Sequence, residues 1–300
     1  MIAPCLLCGG GEYRQVLRRD AVDIIRCRKC GLMRVDPLPS RDDVLANYRE
    51  RFFEGNGSYL PYDADEALRK RSFRRLLTAI EQYRQGGRLL DVGCATGLFL
   101  EVLGRHWEGI GLDISRYACE IASKRTGRRI ECGELTEVDL GDKNFEVVTM
   151  WNLIEHVRAP IRHFERANHV LSGDGILALT TGDIGSLAAR LLGRHWRLIT
   201  PRTHLFYFTE QTIKAALAET GFEVLNVTRS GREISLSHLS YILYSVARLE
   251  VFRRAARWIS SRPPGRWHFY ANARDVMTVI ARKRVPGSLR PRRCTQRWGA

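Results

Sequence analysis

The chain has 300 residues, of which 44% are hydrophobic, and this is enough apolar material for one large or two modest domains with a real core. Its 48 Lys and Arg residues against 33 Asp and Glu residues give a formal net charge of +15, which invites a nucleic acid or an anionic membrane as partner. The basic residues are nearly all arginines spread over the whole length, so a compositional bias is favoured over a binding footprint.

The amino terminus lacks the basic stretch followed by an apolar one that marks a targeting signal. No run of the chain approaches the roughly 18 apolar residues that a membrane span requires. We therefore expect a cytoplasmic protein without a transmembrane segment, in which cysteines stay reduced.

Four cysteines near the amino terminus form a C-x2-C, x18, C-x2-C pattern: Cys5, Cys8, Cys27 and Cys30. Two-residue spacing lets each pair present both thiolates to one ion, and four thiolates close a tetrahedral site that has no open position for catalysis. Gly9 and Gly31 permit the tight turn after each pair. Residues 1–38 are therefore predicted to form a small zinc ribbon with a structural Zn²⁺ ion, with disulfides or a redox dithiol as the alternatives.

Residues 39–85 begin at a segment stiffened by two prolines and are predicted to be a helical linker. Helices are expected over 41–48 and 64–85. The aromatic residues between them are interpreted as a lid or wall of a cofactor pocket, and ordinary packing is the alternative.

A short apolar strand, Arg88-Leu89-Leu90-Asp91-Val92, breaks into a glycine-spaced turn that leads into a helix. Gly93 lets the backbone turn and approach a ligand, Gly97 lets the helix pack on the strand, and free amides at the helix start attract an anionic group. A dinucleotide fingerprint needs G-x-G-x-x-G, whereas these glycines are four residues apart and follow Asp91. The motif alone is equally compatible with a chance strand-turn-helix.

This D-x-G-x-x-x-G pattern resembles motif I of class I S-adenosylmethionine-dependent methyltransferases. Asp113 ends the second predicted strand, where a carboxylate can accept the ribose hydroxyls of a bound nucleoside. Glu134 follows the third strand, where the resemblance implies an acidic contact with the adenine amino group, although the family more often has Asp. The residues expected to bind S-adenosylmethionine are Asp91, Gly93, Cys94, Ala95, Gly97, Asp113, Ile114, Glu134, Leu135 and Trp151.

The fourth predicted strand, 145–150, runs directly into Trp151-Asn152-Leu153-Ile154-Glu155-His156, at the edge where the carboxyl ends of parallel strands line a crevice. This segment resembles the one that follows the fourth strand in small-molecule methyltransferases. These include the ubiquinone O-methyltransferase-like group, whose members often carry a Glu-His pair at that position. It lacks the Asn/Asp-Pro-Pro-Tyr tetrad of enzymes that methylate exocyclic amines of bases, and the thiolate nucleophile of pyrimidine C5 enzymes. Nucleic acid is therefore less favoured than a small molecule as acceptor.

An insertion at 183–208 follows the fifth predicted strand and ends in His204-Leu205-Phe206-Tyr207-Phe208. Loops on a rigid sheet are where substrate selection is built. The His-Leu-x-x-Phe pattern and the capped helix after it resemble a methyltransferase subgroup with amino-terminal zinc-binding domains, often linked to sugar, polysaccharide or related secondary metabolism. His156 is the first candidate for the catalytic base, His204 the second and His195 a weaker one, and an imidazole that merely orders its loop is the alternative for each.

A second insertion, 234–270, lies between the last two predicted strands, and apolar residues recur in it at helical spacing over 234–260. Helices that cover the substrate side of the sheet are favoured over helices that rest on an anionic membrane surface, which the nearby arginines would allow. The basic, turn-rich residues 286–300 are predicted to be a disordered tail.

The sequence thus predicts an α/β protein with a Rossmann-like class I methyltransferase domain over residues 86–285. Its sheet is expected to have seven mostly parallel strands, the last of them antiparallel, and the zinc ribbon precedes it. The function implied by the resemblance is methyl transfer from S-adenosylmethionine to a sugar, glycan precursor, lipid-linked glycan or related metabolite, with a His-assisted deprotonation. The first alternative is a protein that methylates or binds RNA or another nucleic acid, and the second alternative is an inactive scaffold. Peripheral contact with a membrane also stays open.

Overall fold

The structure is a computed structural model that describes residues 2–47, 66–140, 144–229, 231–235, 251, 254, 258 and 268–285. The expected aromatic lid, most of the second insertion and the basic tail lie outside these residues. In the described part of the chain, no helix combines the length and the apolar content that crossing a bilayer requires.

Strands and helices are numbered separately along the chain. The strands are β1 (Tyr13–Arg19), β2 (Val22–Cys27), β3 (Met33–Asp36), β4 (Gly87–Val92), β5 (Trp107–Asp113), β6 (Ile130–Cys132), β7 (Phe145–Trp151), β8 (Leu171–Gly182), β9 (Phe206–Tyr207), β10 (Phe222–Thr228), β11 (Arg232–Ser235), β12 (His268–Ala271) and β13 (Val276–Lys283). The helices are α1 (Arg41–Asn47), α2 (Glu66–Glu81), α3 (Leu98–Glu101), α4 (Arg116–Thr126), α5 (Pro160–Val170), α6 (Leu187–Leu192) and α7 (Glu210–Glu219), and a 3₁₀ turn spans Gly193–His195.

Seven strands form the central sheet, in the order β10-β13-β8-β7-β4-β5-β6. The five strands β8, β7, β4, β5 and β6 run parallel to one another, and β13 is antiparallel to both β8 and β10. The predicted Rossmann-like sheet with an antiparallel last strand is therefore confirmed. Leu89, Leu90 and Val148 are fully buried, as expected for central strands that are covered on both faces and read as continuous apolar runs.

Side-chain caps begin the helices that follow several strands. The Ser115 side chain accepts a hydrogen bond from the Ala118 amide at the start of α4, and Thr209 forms a capping box with Thr212 at the start of α7. Each cap satisfies an amide that the helix itself leaves without an acceptor. The caps therefore determine where the chain turns away from the sheet edge.

The strand order changes direction at β4, which has β5 on one side and β7 on the other. In open sheets of this kind, the crevice outside the carboxyl ends of the strands at such a point is the usual ligand site. The expected cofactor residues follow β4, β5, β6 and β7, so the topology gathers them along one edge.

The ribbon sheet takes its fourth strand from the first insertion, and its order is β1-β2-β3-β9. Arg34 of β3 pairs with Phe206 of β9 in antiparallel register. Next to this pair, the Val35 amide donates to the Leu205 carbonyl over 3.0 Å. Buried ribbon side chains such as Ile24 belong to the same hydrophobic cluster as the central sheet. The ribbon and the insertion are consequently one packed unit.

In the second insertion, β11 and β12 form an antiparallel hairpin in which Ile234 lies opposite Phe269. The prediction of helices over 234–260 is wrong at its first two residues, because the backbone of Ile234 and Ser235 belongs to β11. Val251, Arg254 and Trp258, the described residues farther along, are helical.

Replacing Cys27 with Ala should loosen β9 as well as the ribbon, because Cys27 ends β2 and β9 is held by the same sheet. We expect zinc to be lost and amide hydrogen exchange at Phe206 and Tyr207 to become roughly tenfold faster. Zinc analysis and hydrogen-exchange mass spectrometry measure the two effects. The matched control is Cys132→Ala, at an exposed cysteine, and unchanged exchange in β9 of the Cys27 variant would contradict the coupling.

Candidate functional site

Asp91 lies at the carboxyl side of β4 and is almost completely buried. The Thr149 hydroxyl donates to its Oδ1 over 2.7 Å, while its Oδ2 is buried and has no hydrogen-bond partner among the described residues. The pKa of Asp91 is raised to about 7, chiefly by burial and in smaller part by the neighbouring Asp113, while the bond from Thr149 opposes the shift. A buried oxygen that lacks a partner suits a cationic ligand group, such as an α-ammonium.

The loop after Asp91 is built on two glycines in the left-handed region, Gly93 with φ 74° and Gly97 with φ 83°. A Cβ at Gly93 would approach Leu153 to 3.0 Å, and one at Gly97 would lie 2.9 Å from Thr126. The loop therefore fits closely against Leu153 on one side and against α4 on the other.

Several loop amides already have acceptors inside the protein. The Gly93 and Cys94 amides both donate to the Leu112 carbonyl, over 2.7 and 3.1 Å, and the Gly97 amide donates to the Cys94 carbonyl. These bonds close the turn itself, whereas the expectation of free amides concerns the start of α3, from Leu98 onward. The Cys94 thiol is buried beneath the loop, and burial raises its pKa well above the usual value, so it serves as a packing group.

Asp113 ties the loop to the end of β5. Its Oδ2 accepts from the Ala95 amide and its Oδ1 from the Ser115 amide, each over 2.8 Å. Burial raises the pKa of Asp113 although these two bonds oppose the shift. Each carboxylate oxygen keeps a second lone pair, so the side chain is held in place and can still accept hydroxyl groups of a ribose. Ile114 beside it is half-buried.

The remaining expected cofactor residues lie along the same edge. Glu134 is partly exposed after β6, with an Oε1 atom 3.5 Å from Nε2 of the buried His163, and Leu135 is buried. Trp151, at the end of β7, packs edge to face on Phe99 with ring centroids 5.2 Å apart. Its indole Nε1 is buried and has no acceptor within the described ranges. The edge therefore brings together three carboxyls, those of Asp91, Asp113 and Glu134, with the Trp151 ring and the glycine loop.

His156 and His204 come together although they lie on different segments. Their ring centroids are 4.6 Å apart and the rings are nearly perpendicular, at 85°. Nδ1 of His156 lies 3.0 Å from the Thr203 carbonyl, and Nδ1 of His204 lies 2.8 Å from the Leu198 carbonyl. A carbonyl accepts only, so in the neutral rings Nδ1 carries the proton and Nε2 carries the lone pair.

Glu155 completes this group, and the sequence reasoning did not select it. One atom each of Glu155, His156 and His204 lies within 4.8 Å of the others, and we call these three residues the Glu-His-His cluster. Oε2 of Glu155 is buried and has no hydrogen-bond partner in the part of the chain that is described. The Glu-His pair after strand four was the signal that could have identified it.

The protein environment favours the uncharged form of every member of the Glu-His-His cluster. Burial lowers the pKa of His156 to about 4, against the bond to Thr203. Burial lowers the pKa of His204 well below its ordinary value, and the adjacent His156 lowers it further. Burial raises the pKa of Glu155 to about 7. Both imidazoles are therefore expected to be neutral at pH 7.

The backbone of Glu155 holds the first insertion. Its carbonyl accepts from the Leu205 amide over 2.7 Å and from the Phe206 amide over 3.1 Å, which places His204 beside the end of β7. His195 is exposed on the 3₁₀ turn and bonds with Arg194, outside the Glu-His-His cluster. Of the three candidate histidines, the structure thus brings two together.

The four ribbon cysteines are unpaired thiols whose Sγ atoms all lie within 4.8 Å of one another. Cys5 and Cys30 are 3.5 Å apart at sulfur, as are Cys8 and Cys27. The Gly9 amide donates to the Cys5 carbonyl and the Gly31 amide to the Cys27 carbonyl, so both turns wrap around the same point. Four thiolates in this arrangement fit a closed tetrahedral Zn²⁺ site.

A family model described as a methyltransferase domain matches residues 63–227. The chain is 28% identical over 185 residues to the malonyl-[acyl-carrier protein] O-methyltransferase of Geobacter sulfurreducens, a match that covers 55% of this chain and 67% of that protein. It is 27% identical over 152 residues to the ubiquinone biosynthesis O-methyltransferase of Azorhizobium caulinodans, covering 47% and 60%. The matches thus span between 60% and 67% of these curated relatives.

Among solved structures, the N-methyltransferase NodS of Bradyrhizobium japonicum, in complex with S-adenosyl-L-homocysteine, has a TM-score of 0.52 and 13% identity to this chain. The match covers 81% of this chain and 99% of that one. At this identity the likeness shows the shared fold.

Replacing Asp91 with Asn should weaken the binding of S-adenosylmethionine and remove its pH dependence. In the parent protein the Asp91 carboxyl, with its pKa raised to about 7, gains a proton as the pH falls, and its attraction for the ligand ammonium is then lost. We expect the parent affinity to fall roughly tenfold from pH 8 to pH 6. Calorimetric titration at both values measures it, and a parent affinity independent of pH would contradict the role of Asp91.

Asp91→Asn should weaken cofactor binding but raise the free energy of unfolding of the ligand-free protein at high pH. A carboxyl whose pKa is higher in the folded than in the unfolded state loses stabilising free energy as the pH rises through that interval. The Asn variant should therefore be more stable than the parent at pH 8, and its advantage should disappear towards pH 4. Urea unfolding without ligand measures the difference, and a parent of equal stability at pH 8 would contradict the burial of charge.

Replacing Gly97 with Ala should be more damaging than replacing Gly127, although both residues have positive φ. A Cβ at Gly97 meets Thr126 and Ala122, whereas nothing lies within 4 Å of one at Gly127. We expect the free energy of unfolding to fall by about 2 to 4 kcal/mol for Gly97→Ala and about 1 to 2 kcal/mol for Gly127→Ala. Urea unfolding compares the two, and equal losses would mean that close packing at Gly97 is unimportant.

Proposed function

We propose that this chain, which belongs to the methyltransferase domain family of S-adenosylmethionine-dependent enzymes, transfers the cofactor methyl group to a small-molecule acceptor. The observation that supports this function is the pairing of a glycine loop between two buried carboxyls with a cluster of neutral imidazoles at the end of the neighbouring strand β7. The glycine loop and the two carboxyls suit the cofactor, and the imidazoles suit removal of a proton from the acceptor.

Each part of the crevice edge has a role in this proposal. Asp91 attracts the ammonium of the methionine end, which rests on the loop from Gly93 to Gly97, and Asp113 accepts the ribose hydroxyls. Glu134 meets the adenine amino group. The cofactor supplies a methyl group on a positively charged sulfur, so the protein has mainly to align an acceptor and to remove its proton.

The acceptor atom in this proposal is an oxygen. Both curated relatives named above are O-methyltransferases, one named for malonyl-[acyl-carrier protein] and the other for ubiquinone biosynthesis. For this chain we infer a hydroxyl of a sugar, a glycan precursor or a related metabolite. The insertion that carries His204 forms the acceptor side, and the proton leaves at the Glu-His-His cluster.

The first test is calorimetric titration of the zinc-replete protein with S-adenosylmethionine and with S-adenosylhomocysteine. Micromolar binding of both supports the proposal, and the protein is then screened with sugars, quinols and lipid-linked glycans for methyl transfer. Absence of binding by either compound would overturn it.

Replacing His156 or His204 with Ala should lower kcat for the acceptor found in this screen by roughly 10² to 10⁴, the usual contribution of a positioned proton-transfer group. The affinity for S-adenosylhomocysteine should stay within about twofold, because Asp91 and Asp113 are unchanged. His195→Ala, on the same insertion but exposed, is the matched control and should keep the parent rate. Full activity of both the His156 and the His204 variants would exclude a chemical role for the cluster.

A further inference from the structure

We propose that Cys119 and Cys132 form a reversible disulfide, and that this modification site couples oxidation of the protein to the binding of its cofactor. Cys119 lies on α4 and Cys132 ends β6, at the part of the crevice edge where Asp113 and Glu134 lie. Formation of the bond depends on the two cysteines alone, whereas its effect on S-adenosylmethionine rests on the proposed function.

The two cysteine side chains face each other between α4 and the central sheet. Ile130 and Cys132 are two residues apart on β6, so their side chains point to the same side of the sheet. Ile130 packs against the hydrophobic cluster that includes Ala122 of α4, and Cys119 lies three residues before Ala122 on the same face of that helix. Cys132 is therefore directed at α4 and at Cys119.

The Cys119 thiol lies directly beside the end of β6. Its Sγ is 3.5 Å from the carbonyl oxygen of Glu131, the residue that precedes Cys132. The thiols of Cys119 and Cys132 also contact each other through a hydrogen bond. A disulfide requires sulfur atoms about 2.05 Å apart, so the two sulfurs need to approach each other by a distance on the order of 1 to 2 Å.

The two thiols differ in exposure in the way that a redox pair requires. In the part of the chain that the structure describes, Cys132 is the exposed cysteine, whereas Cys119 is buried. Burial, and in smaller part the contact with Cys132, raises the pKa of the Cys119 thiol. Cys132 is therefore the thiol that an oxidant reaches first, and Cys119 is the partner that closes the bond.

The oxidant in this proposal is hydrogen peroxide, and no other reactant is needed. The sulfur of Cys132 attacks one peroxide oxygen, the O–O bond breaks, one water molecule leaves and Cys132 becomes a sulfenic acid. The sulfur of Cys119 then displaces the new hydroxyl group, which leaves with the Cys119 proton as a second water molecule. Two electrons pass from the thiols to the peroxide, and exchange with a small thiol such as glutathione restores both cysteines.

The backbone carbonyl of Asp113 connects the cysteine pair to the cofactor residues. It accepts from the Cys119 thiol over 3.3 Å and from the Gly133 amide over 2.8 Å, and Cys132 pairs with Asp113 in parallel register. Oxidation removes the thiol donor and pulls the end of β6 towards α4. Asp113 and Glu134, which are proposed to bind the ribose and the adenine, lie on either side of that movement. The disulfide is therefore expected to weaken cofactor binding.

The coupling between the disulfide and the cofactor is reciprocal. A disulfide that lowers the affinity for the cofactor is itself disfavoured by bound cofactor to the same degree. The bound cofactor thus stabilises the two free thiols. A tenfold difference in affinity corresponds to a reduction potential that is about 30 mV higher when the cofactor is bound.

The test treats the full, zinc-replete chain with a small excess of hydrogen peroxide, alkylates the remaining thiols and maps the peptides by mass spectrometry. We expect a peptide pair joined through Cys119 and Cys132. The affinity for S-adenosylhomocysteine, measured by calorimetric titration, should be roughly tenfold lower in the oxidised than in the reduced protein, and a reductant should restore it. Absence of the joined peptides, or equal affinity of the two forms, would overturn the proposal.

Two conservative variants, Cys119→Ser and Cys132→Ser, separate this disulfide from oxidation of the ribbon cysteines. Each reduced variant should bind S-adenosylhomocysteine within about twofold of the parent, which shows that it is folded, and peroxide should leave its affinity unchanged. Zinc analysis of the same samples reports on the ribbon. A Cys132→Ser variant that loses affinity on oxidation as the parent does would contradict the coupling.

The same samples distinguish failure of this inference from failure of the proposed function. If the reduced parent binds S-adenosylhomocysteine and peroxide yields no joined peptides, the disulfide is excluded and the proposed function stands. If the joined peptides form but the reduced parent does not bind the compound, the proposed function and the coupling fail, and the modification site alone stands.

Discussion

The backbone carbonyl of Glu155 is the contact around which the site side of the molecule is arranged. It accepts two amides from the start of β9, and this fastens the first insertion to the end of β7. His204 is brought to His156 by that attachment, and the ribbon is brought to the sheet because β3 pairs with the same short strand. One acceptor thus organises three segments that are far apart in sequence.

Two buried carboxyls near the site, those of Asp91 and Glu155, lower the stability of the folded state when they are ionised. Asp91 and Glu155 each have one oxygen without a partner in the described structure, and burial raises both pKa values to about 7. Such groups weaken the folded state when they ionise, and nothing in the packing of the core requires them. The unpartnered oxygen of Asp91 suits a positively charged ligand group, such as an α-ammonium. The two sites differ in kind, because one follows a glycine loop and the other adjoins two imidazoles.

Much of the fold could be predicted because its signals are local. The apolar run of β4, the glycine spacing after it and the serine and threonine caps are determined by neighbours in the chain, and the cysteine spacing reflects the geometry of one ion. The pairing of β9 with β3 could not be predicted in the same way. A strand of two residues carries no periodicity, and its partner lies near the other end of the chain. Glu155 is a different case, because the Glu-His pair after strand four marks its position in the sequence, whereas the buried and unpartnered Oε2 is visible only in three dimensions. The helical spacing of the apolar residues from Leu236 onward indicates helices over 234–260, and it carries no signal for the strand pairing of Ile234 and Ser235 with β12.

The shared sheet of ribbon and insertion has a consequence for how the protein can be taken apart. A ribbon whose β-sheet contained only its own strands could be removed or exchanged as an independent domain. Here, however, β3 of the ribbon and β9 of the insertion pair with each other through backbone hydrogen bonds. Cutting the chain after residue 38 would leave Phe206 and Tyr207, which are buried in the intact protein, on an open edge that invites association with other chains. A chimaera with a foreign ribbon would need the segment around β9 from the same donor, so the two halves of this sheet are expected to be inherited and engineered as a pair.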